Sequence, residues 1–263
     1  MTEVIEFPNP QDLAQEVEQL RTELIAKIEE RDELRYVICR NIEAKYIMLI
    51  GGLEYRAFEL QFSYLYLKRK CEMIQAKKNR QEKVDLALIE ATLDVELKEF
   101  HQRLESEMRR INTALEYRKG TVLPKEVVEE LKKKYHLIIK AIHPDVHPNL
   151  TDSEKALFLH AVEAYKNGDI EAIRMIFDLV GEREEQTESS IKKLLNEKEN
   201  LTTAKAAIEQ EILKIKAEYP YTMKELLEKP TEVDKRKAEL EQTISEYEKA
   251  IAIYEKKIQE MTE

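Results

Sequence analysis

Glycine is scarce in this chain, with five in 263 residues, where average usage would give about eighteen. Only seven prolines accompany them. These two residues punctuate turns, hairpins and bulges, so their scarcity argues against sandwiches, barrels and glycine-looped nucleotide-binding βα folds. Tryptophan is missing, and the two cysteines, Cys39 and Cys71, form neither a metal-type spacing nor a disulfide framework, which points to a reducing compartment. No uncharged apolar run approaches the roughly 18 residues that span a bilayer; the nearest, Tyr46 to Leu53, stops after eight. The opening MTEVIEFPNP holds two glutamates and no basic stretch, so no signal peptide is expected. The expectation is a cytoplasmic protein without a membrane partner.

Charge is abundant: 37% of residues are Asp, Glu, Lys or Arg, and the net charge is −10. An acidic balance of this size disfavours nucleic acid as a partner of the whole chain. The 43% hydrophobic content is too high for a disordered polyelectrolyte. Ala, Glu, Lys, Leu and Arg dominate, the composition of long helices and coiled coils.

Apolar spacing sets the expected architecture, an all-α protein. Ile50, Leu53, Ala57, Leu60, Tyr64, Leu67, Cys71 and Ile74 alternate steps of three and four, as a coiled-coil seam does. Leu86, Ile89, Leu93, Leu97, Phe100, Leu104, Met108, Ile111 and Leu115 form a second stripe with extra four-residue steps. A polar stretch separates them, and Asp85 can cap the second helix. Residues 42–118 therefore read as an antiparallel hairpin, preceded over 1–41 by an amphipathic helix bearing Leu13, Val17, Leu20, Leu24 and Ile28. A second hairpin is expected over 182–263, with Ile208, Ile212, Ile215 and Tyr219 on one arm and Val233, Leu240, Ile244, Tyr247, Ile251, Tyr254, Ile258 and Met261 on the other. Pro220 and Pro230 bracket the link. Such seams close within one chain or between two copies, leaving a homo-oligomer open.

The segment 112–180 is different, with three of the seven prolines and four of the five histidines. Lys125 to Ile142 reads KEVVEELKKKYHLIIKAI. Val128, Leu131, Tyr135, Ile138 and Ile142 share one helical face, and Lys132, Lys133, His136 and Lys140 form a basic stripe on another. Pro124 suits the helix start. The helix must stop at His143-Pro144-Asp145, because the residue before a proline is pushed out of the α region. After a polar loop, Thr151-Asp152-Ser153-Glu154 reads as a capping box. The helix it opens carries Phe158, Ala161, Val162 and Tyr165 and ends at Asn167-Gly168. Asp169 can cap one more, with Ile170, Ile173, Phe177 and Val180.

A basic helix with an aromatic eight residues before His143, a His-Pro-Asp corner, and a following helix with the pattern Phe158-x-x-Ala161-x-x-Ala164-Tyr165 resemble the J-domain of DnaJ-like co-chaperones over about residues 112–180, with the J-like domain itself expected at 119–181. The resemblance implies that His143, Pro144 and Asp145, with the stripe Lys132, Lys133, His136 and Lys140, dock on a DnaK-type ATPase chaperone and stimulate its ATP hydrolysis. It implies a core of Leu131, Tyr135, Ile138, Ile142, Phe158, Ala161 and Tyr165. A protein of this kind performs no bond chemistry itself and needs no metal or cofactor. Two positions after Tyr135, often basic in the family, are His136 and Leu137 here. No Gly/Phe-rich linker or CxxC repeat follows, so client choice falls to the helical arms. The family's short first helix is not recognisable; Ala114-Leu115-Glu116-Tyr117 lies at a suitable distance upstream.

A proline-stiffened loop between antiparallel helices would hold His143 and Asp145 outward. Asp145 could pair with a partner's arginine, and the lysines would add encounter rate that falls with ionic strength. The alternative is a coiled-coil scaffold or assembly protein whose J-like piece is vestigial and structural. A metal site at His143, Asp145 and His147 lacks a fourth ligand and any cysteine. No nucleophile or phosphate loop accompanies a His/Asp pair. The cluster Lys68-Arg69-Lys70, Lys77, Lys78, Arg80 and Lys83 reads as a solvated helix end. The aromatics Tyr46, Tyr55, Phe58, Phe62, Tyr64 and Tyr66 read as core rather than open surface.

Overall fold

The computed structural model describes residues 9–119, 123–180 and 191–263. Among them the chain is helical throughout, without a strand. The helices are α1 (Pro10–Glu33), α2 (Cys39–Tyr46), α3 (Gly52–Asn79), α4 (Leu86–Glu96), α5 (Lys98–Lys119), α6 (Lys125–Ile142), α7 (Asp152–Asn167), α8 (Ile170–Val180), α9 (Ile191–Ala217), α10 (Lys224–Glu228) and α11 (Pro230–Thr262). Five-residue π-helical turns, Leu34–Ile38 and Ile47–Gly51, follow α1 and α2. The chain divides into two compact units, residues 1–40 with 121–221 and residues 41–120 with 222–263. The expected boundary at 181/182 lies outside the described residues, as do the first eight residues.

In the first unit, α1 and α9 lie side by side and run parallel. Glu16 pairs with Lys198 at 2.6 Å, Glu23 with Lys205 at 2.7 Å and Glu30 with Lys216 at 2.7 Å, so the partner numbers rise together. Exposed pairs of this kind contribute about 0–1 kcal/mol each, so they set register more than stability. The stabilising contact is apolar: Val17, Leu24, Ile25 and Ile28 of α1 meet Leu201, Ile208 and Ile212 of α9 and the inner faces of α6, α7 and α8 in one core.

In the second unit α3 runs antiparallel to α4 and α5, with Lys70 on Glu90 at 2.6 Å, Arg69 on Glu96 at 3.0 Å and Phe58 stacked on Phe100 at 4.7 Å. It runs parallel to α11: Glu54 meets Arg236 at 3.1 Å, and Tyr64 meets Tyr247 and Tyr254. Asp85 caps α4 as its position predicts, accepting from the Leu88 N–H at 3.1 Å. Three of the cluster's seven cations are neutralised locally, because Arg69, Lys70 and Lys77 hold Glu96, Glu90 and Glu82. Gly51 is buried at the end of the second π-helical turn and Gly52 opens α3, so the two glycines stand where the helical pitch changes.

The expected hairpin over 182–263 is corrected here. Its two arms do not take each other as partners: α9 packs on α1 in the first unit, and α11 on α3 in the second. An apolar stripe demands cover but does not specify which other stripe supplies it.

Gly168 ends α7 in the left-handed region, at φ 69°, and a Cβ there would sit 3.3 Å from Leu123 Cδ1. Gly168→Ala is expected to cost about 1 kcal/mol, read from the urea unfolding midpoint at unchanged m-value.

Candidate functional site

The J-like segment assembles from local rules. Pro124 precedes the first turn of α6, and the helix stops at His143, which is extended at φ −72° and ψ 130°. The Thr151 hydroxyl accepts from the Glu154 N–H, and the Glu154 carboxylate accepts from the Thr151 N–H at 2.8 Å, completing the capping box of α7. Asp169 caps α8 through the Ala172 N–H at 3.0 Å. The helices α6 and α7 are antiparallel. Tyr135 stacks on Tyr165 with centroids 4.0 Å apart and planes 7° from parallel, and His143 meets Phe158 near the other end. Leu131, Tyr135, Ile138, Ile142, Phe158, Ala161 and Tyr165 all lie in one buried core. Beyond them, α8 is tied to α6 by Arg174 on Glu130 at 2.6 Å, and that carboxylate raises the guanidinium's pKa.

The corner itself divides its residues. Asp145 is exposed, and among the described residues its carboxylate makes no ion pair; Pro144 is half-buried beside it. His143 is only 4% exposed, which corrects the expectation that it faces outward. Its ring packs edge-on against Phe158 at 4.7 Å, and Nδ1 accepts the Asp145 N–H at 3.0 Å. The His143 carbonyl accepts from the N–H groups of both Val146 and His147. His147 Nε2 donates to the Lys140 carbonyl at 2.6 Å, satisfying one of the orphan acceptors at the end of α6. His143 is therefore an internal post that shapes the loop, and Asp145 is the charge the loop displays.

Burial, with the charges of Arg31 and His147 adding to it, lowers the His143 pKa from 6.5 to about 3. A protonated ring could not accept the Asp145 N–H. Between these two values the unfolded chain binds a proton that the folded chain refuses, so the contribution is present above about 6.5 and lost as the pH falls towards 3. The expected slope approaches 1.4 kcal/mol per pH unit at its steepest. In His143→Gln that component of the slope should vanish in urea titrations between pH 6.5 and 4; an unchanged slope would mean the imidazole is not buried neutral.

The basic stripe is also divided. Lys133 and Lys140 are exposed. Lys132 reaches Glu33 of α1, and His136 Nδ1 lies 2.8 Å from Glu29 of α1. Two of the four stripe residues are thus engaged within the same unit. The same interface holds a network that the sequence reading missed. Asp32, 1% exposed, accepts from the Tyr135 hydroxyl at 2.8 Å and pairs with Arg31 at 2.8 Å. Burial, then the charge of Asp32, pushes the Tyr135 phenol pKa up. The signal was present, since Asp32 continues the four-residue steps of Leu24 and Ile28.

The upstream candidate for a first helix is corrected as well. Ala114 to Tyr117 belongs to α5 and to the second unit, whereas α1 is the N-terminal helix packed against α6 in the first. The aromatic stretch from the end of α2 into α3 is mostly engaged: Tyr46 is buried and donates to Glu54 at 2.8 Å, Phe58 and Phe62 stack on Phe100, and Tyr64 packs on α11. No helix among the described residues is long and apolar enough to cross a membrane.

No family model, no curated protein and no solved structure matches the chain.

Proposed function

We propose that this protein is a co-chaperone that docks on a DnaK-type ATPase chaperone and stimulates its ATP hydrolysis through the corner between α6 and α7. The observation that carries the reading is the division of labour at that corner. The His143 ring is locked inward by Phe158 and by the Asp145 N–H, while the Asp145 carboxylate stands exposed. An exposed acid on a stiff loop can pair with a partner's cation, and truncating one member of such a desolvated pair costs about 2–5 kcal/mol. Lys133 and Lys140 would add long-range attraction and encounter rate. Client choice is assigned to the helices outside α6, α7 and α8. The role requires no cofactor and no chemistry at the corner itself.

The second reading, an assembly protein with a purely structural J-like module, is favoured by the hold of Glu33 and Glu29 on Lys132 and His136. Single-turnover ATP hydrolysis by a DnaK-type chaperone separates the two. Wild type should accelerate the turnover, and Asp145→Asn should lose at least tenfold of that acceleration while keeping its helical circular dichroism. Equal rates with folded wild type and variant would leave only the structural reading. Raising the salt from 50 to 500 mM should reduce the stimulation, since exposed lysines act over a screened distance; a flat response would remove the role given to Lys133 and Lys140.

A further inference from the structure

The acids of α1 divide by the helix they serve. Glu16, Glu23 and Glu30 pair with lysines of α9, and Asp32 closes the buried network on Tyr135. Glu29 and Glu33 turn to α6 instead, where they take His136 and Lys132. Two residues four apart on one helix thus meet two residues four apart on the other, each pair sharing a face. The order is reversed between the helices, as an antiparallel approach requires.

These two contacts are not needed to register α1 on α6. That register is fixed beneath them by the Asp32–Tyr135 hydrogen bond at 2.8 Å and by Leu24 and Ile28, both 0% exposed in the core shared with α6. All four side chains are 35–44% exposed. Pairs so open to water add little to the stability of a fold. Their larger effect falls on the face that α6 presents.

Lys132, Lys133 and Lys140 alone would offer three positive charges there, and the two glutamates beside them leave one. His136 adds to that remainder only while protonated. Charges within a Debye length of about 10 Å act on a partner as a sum. Because α1 is anchored through the core, the glutamates stay where they are, and the attenuation is fixed rather than switched. We propose, on the reading of the α6–α7 corner as a docking site, that Glu29 and Glu33 are an electrostatic brake on docking. They keep Lys132 and His136 occupied and confine the face to a partner acidic enough to overcome them.

Single-turnover ATP hydrolysis by a DnaK-type chaperone, titrated with the full chain at 50 and 500 mM salt, tests this. In Glu29→Gln/Glu33→Gln the concentration giving half-maximal acceleration should fall about fivefold at 50 mM salt. At 500 mM, where the charges are screened, it should fall by less than twofold. Adding Lys132→Gln to the double variant should remove most of the gain. Glu16→Gln frees Lys198 of α9 instead, about 20 Å along α1 from Glu29, and should stay within twofold of wild type. Glu33→Gln alone should give about twofold, which reads the same brake if the double variant loses its helical circular dichroism. Where wild type accelerates the turnover, a folded double variant that titrates like it, or a gain that persists at 500 mM or survives Lys132→Gln, overturns the brake and leaves the docking reading standing. Acceleration by the double variant alone supports the brake; acceleration by neither protein ends both.

Discussion

Asp32→Ala should lower the free energy of unfolding by about 3–5 kcal/mol, the range for breaking a buried charge pair from one side. The carboxylate is 1% exposed and serves two donors, Tyr135 and Arg31, at 2.8 Å each. Alanine would leave a guanidinium that is 13% exposed without its adjacent carboxylate and a buried hydroxyl without an acceptor. Tyr135→Phe removes only the neutral donor and should cost about 1–2 kcal/mol. The two substitutions share one hydrogen bond, so the double variant should fall short of additivity by roughly 0.5–3 kcal/mol. Urea unfolding of the four proteins completes the cycle. Strict additivity, or a loss below about 1 kcal/mol for Asp32→Ala, would mean that α1 does not bury this carboxylate against α6.

Phe158→Ala should be comparably severe, at about 3–5 kcal/mol for a buried phenylalanine. Its consequence reaches the corner, because this ring is the surface on which the His143 imidazole rests. With the support gone, water reaches the imidazole, and its titration, followed by NMR of the ring protons, should move from about 3 towards the ordinary value near 6.5. The proposed stimulation of a DnaK-type chaperone should fall at temperatures where the variant is still folded, since the Asp145 backbone hangs on His143 Nδ1. Phe158→Leu keeps most of the volume and should retain most of both properties. A His143 titration indifferent to Phe158→Ala would separate the loop from the core beneath it.

Features that depend on a few neighbouring residues were legible in the sequence. The stop of α6 before Pro144, the Thr151–Glu154 capping box, the Asp85 and Asp169 caps and the inward faces of α6 and α7 follow from backbone sterics and a period of 3.6. Which stripes cover which was not. Leu24 and Ile28 on α1 and Ile208 and Ile212 on α9 announce apolar faces, yet nothing local prefers the observed parallel pair over a hairpin between α9 and α11. His143 illustrates a second limit. Imidazole reads as polar, and only the coincidence of a phenylalanine on the facing helix with a backbone donor two residues on makes an interior place for it. Asp32 lies between these cases: its position on the seam was readable, but its acceptor role required knowing that Tyr135 would arrive opposite it.

The pairing of α1 with α9 also bears on synthesis. Arg21 finds its partner Glu197 176 positions further along the chain. At about 5–20 residues per second a ribosome needs roughly 10–35 s to cover that distance. Until α6 emerges the nascent α1 carries an uncovered row of Val17, Leu24 and Ile28, and the side of that row that α9 covers waits for the whole interval. Closing so long a loop makes this a helical protein with the folding economy of a much less local topology.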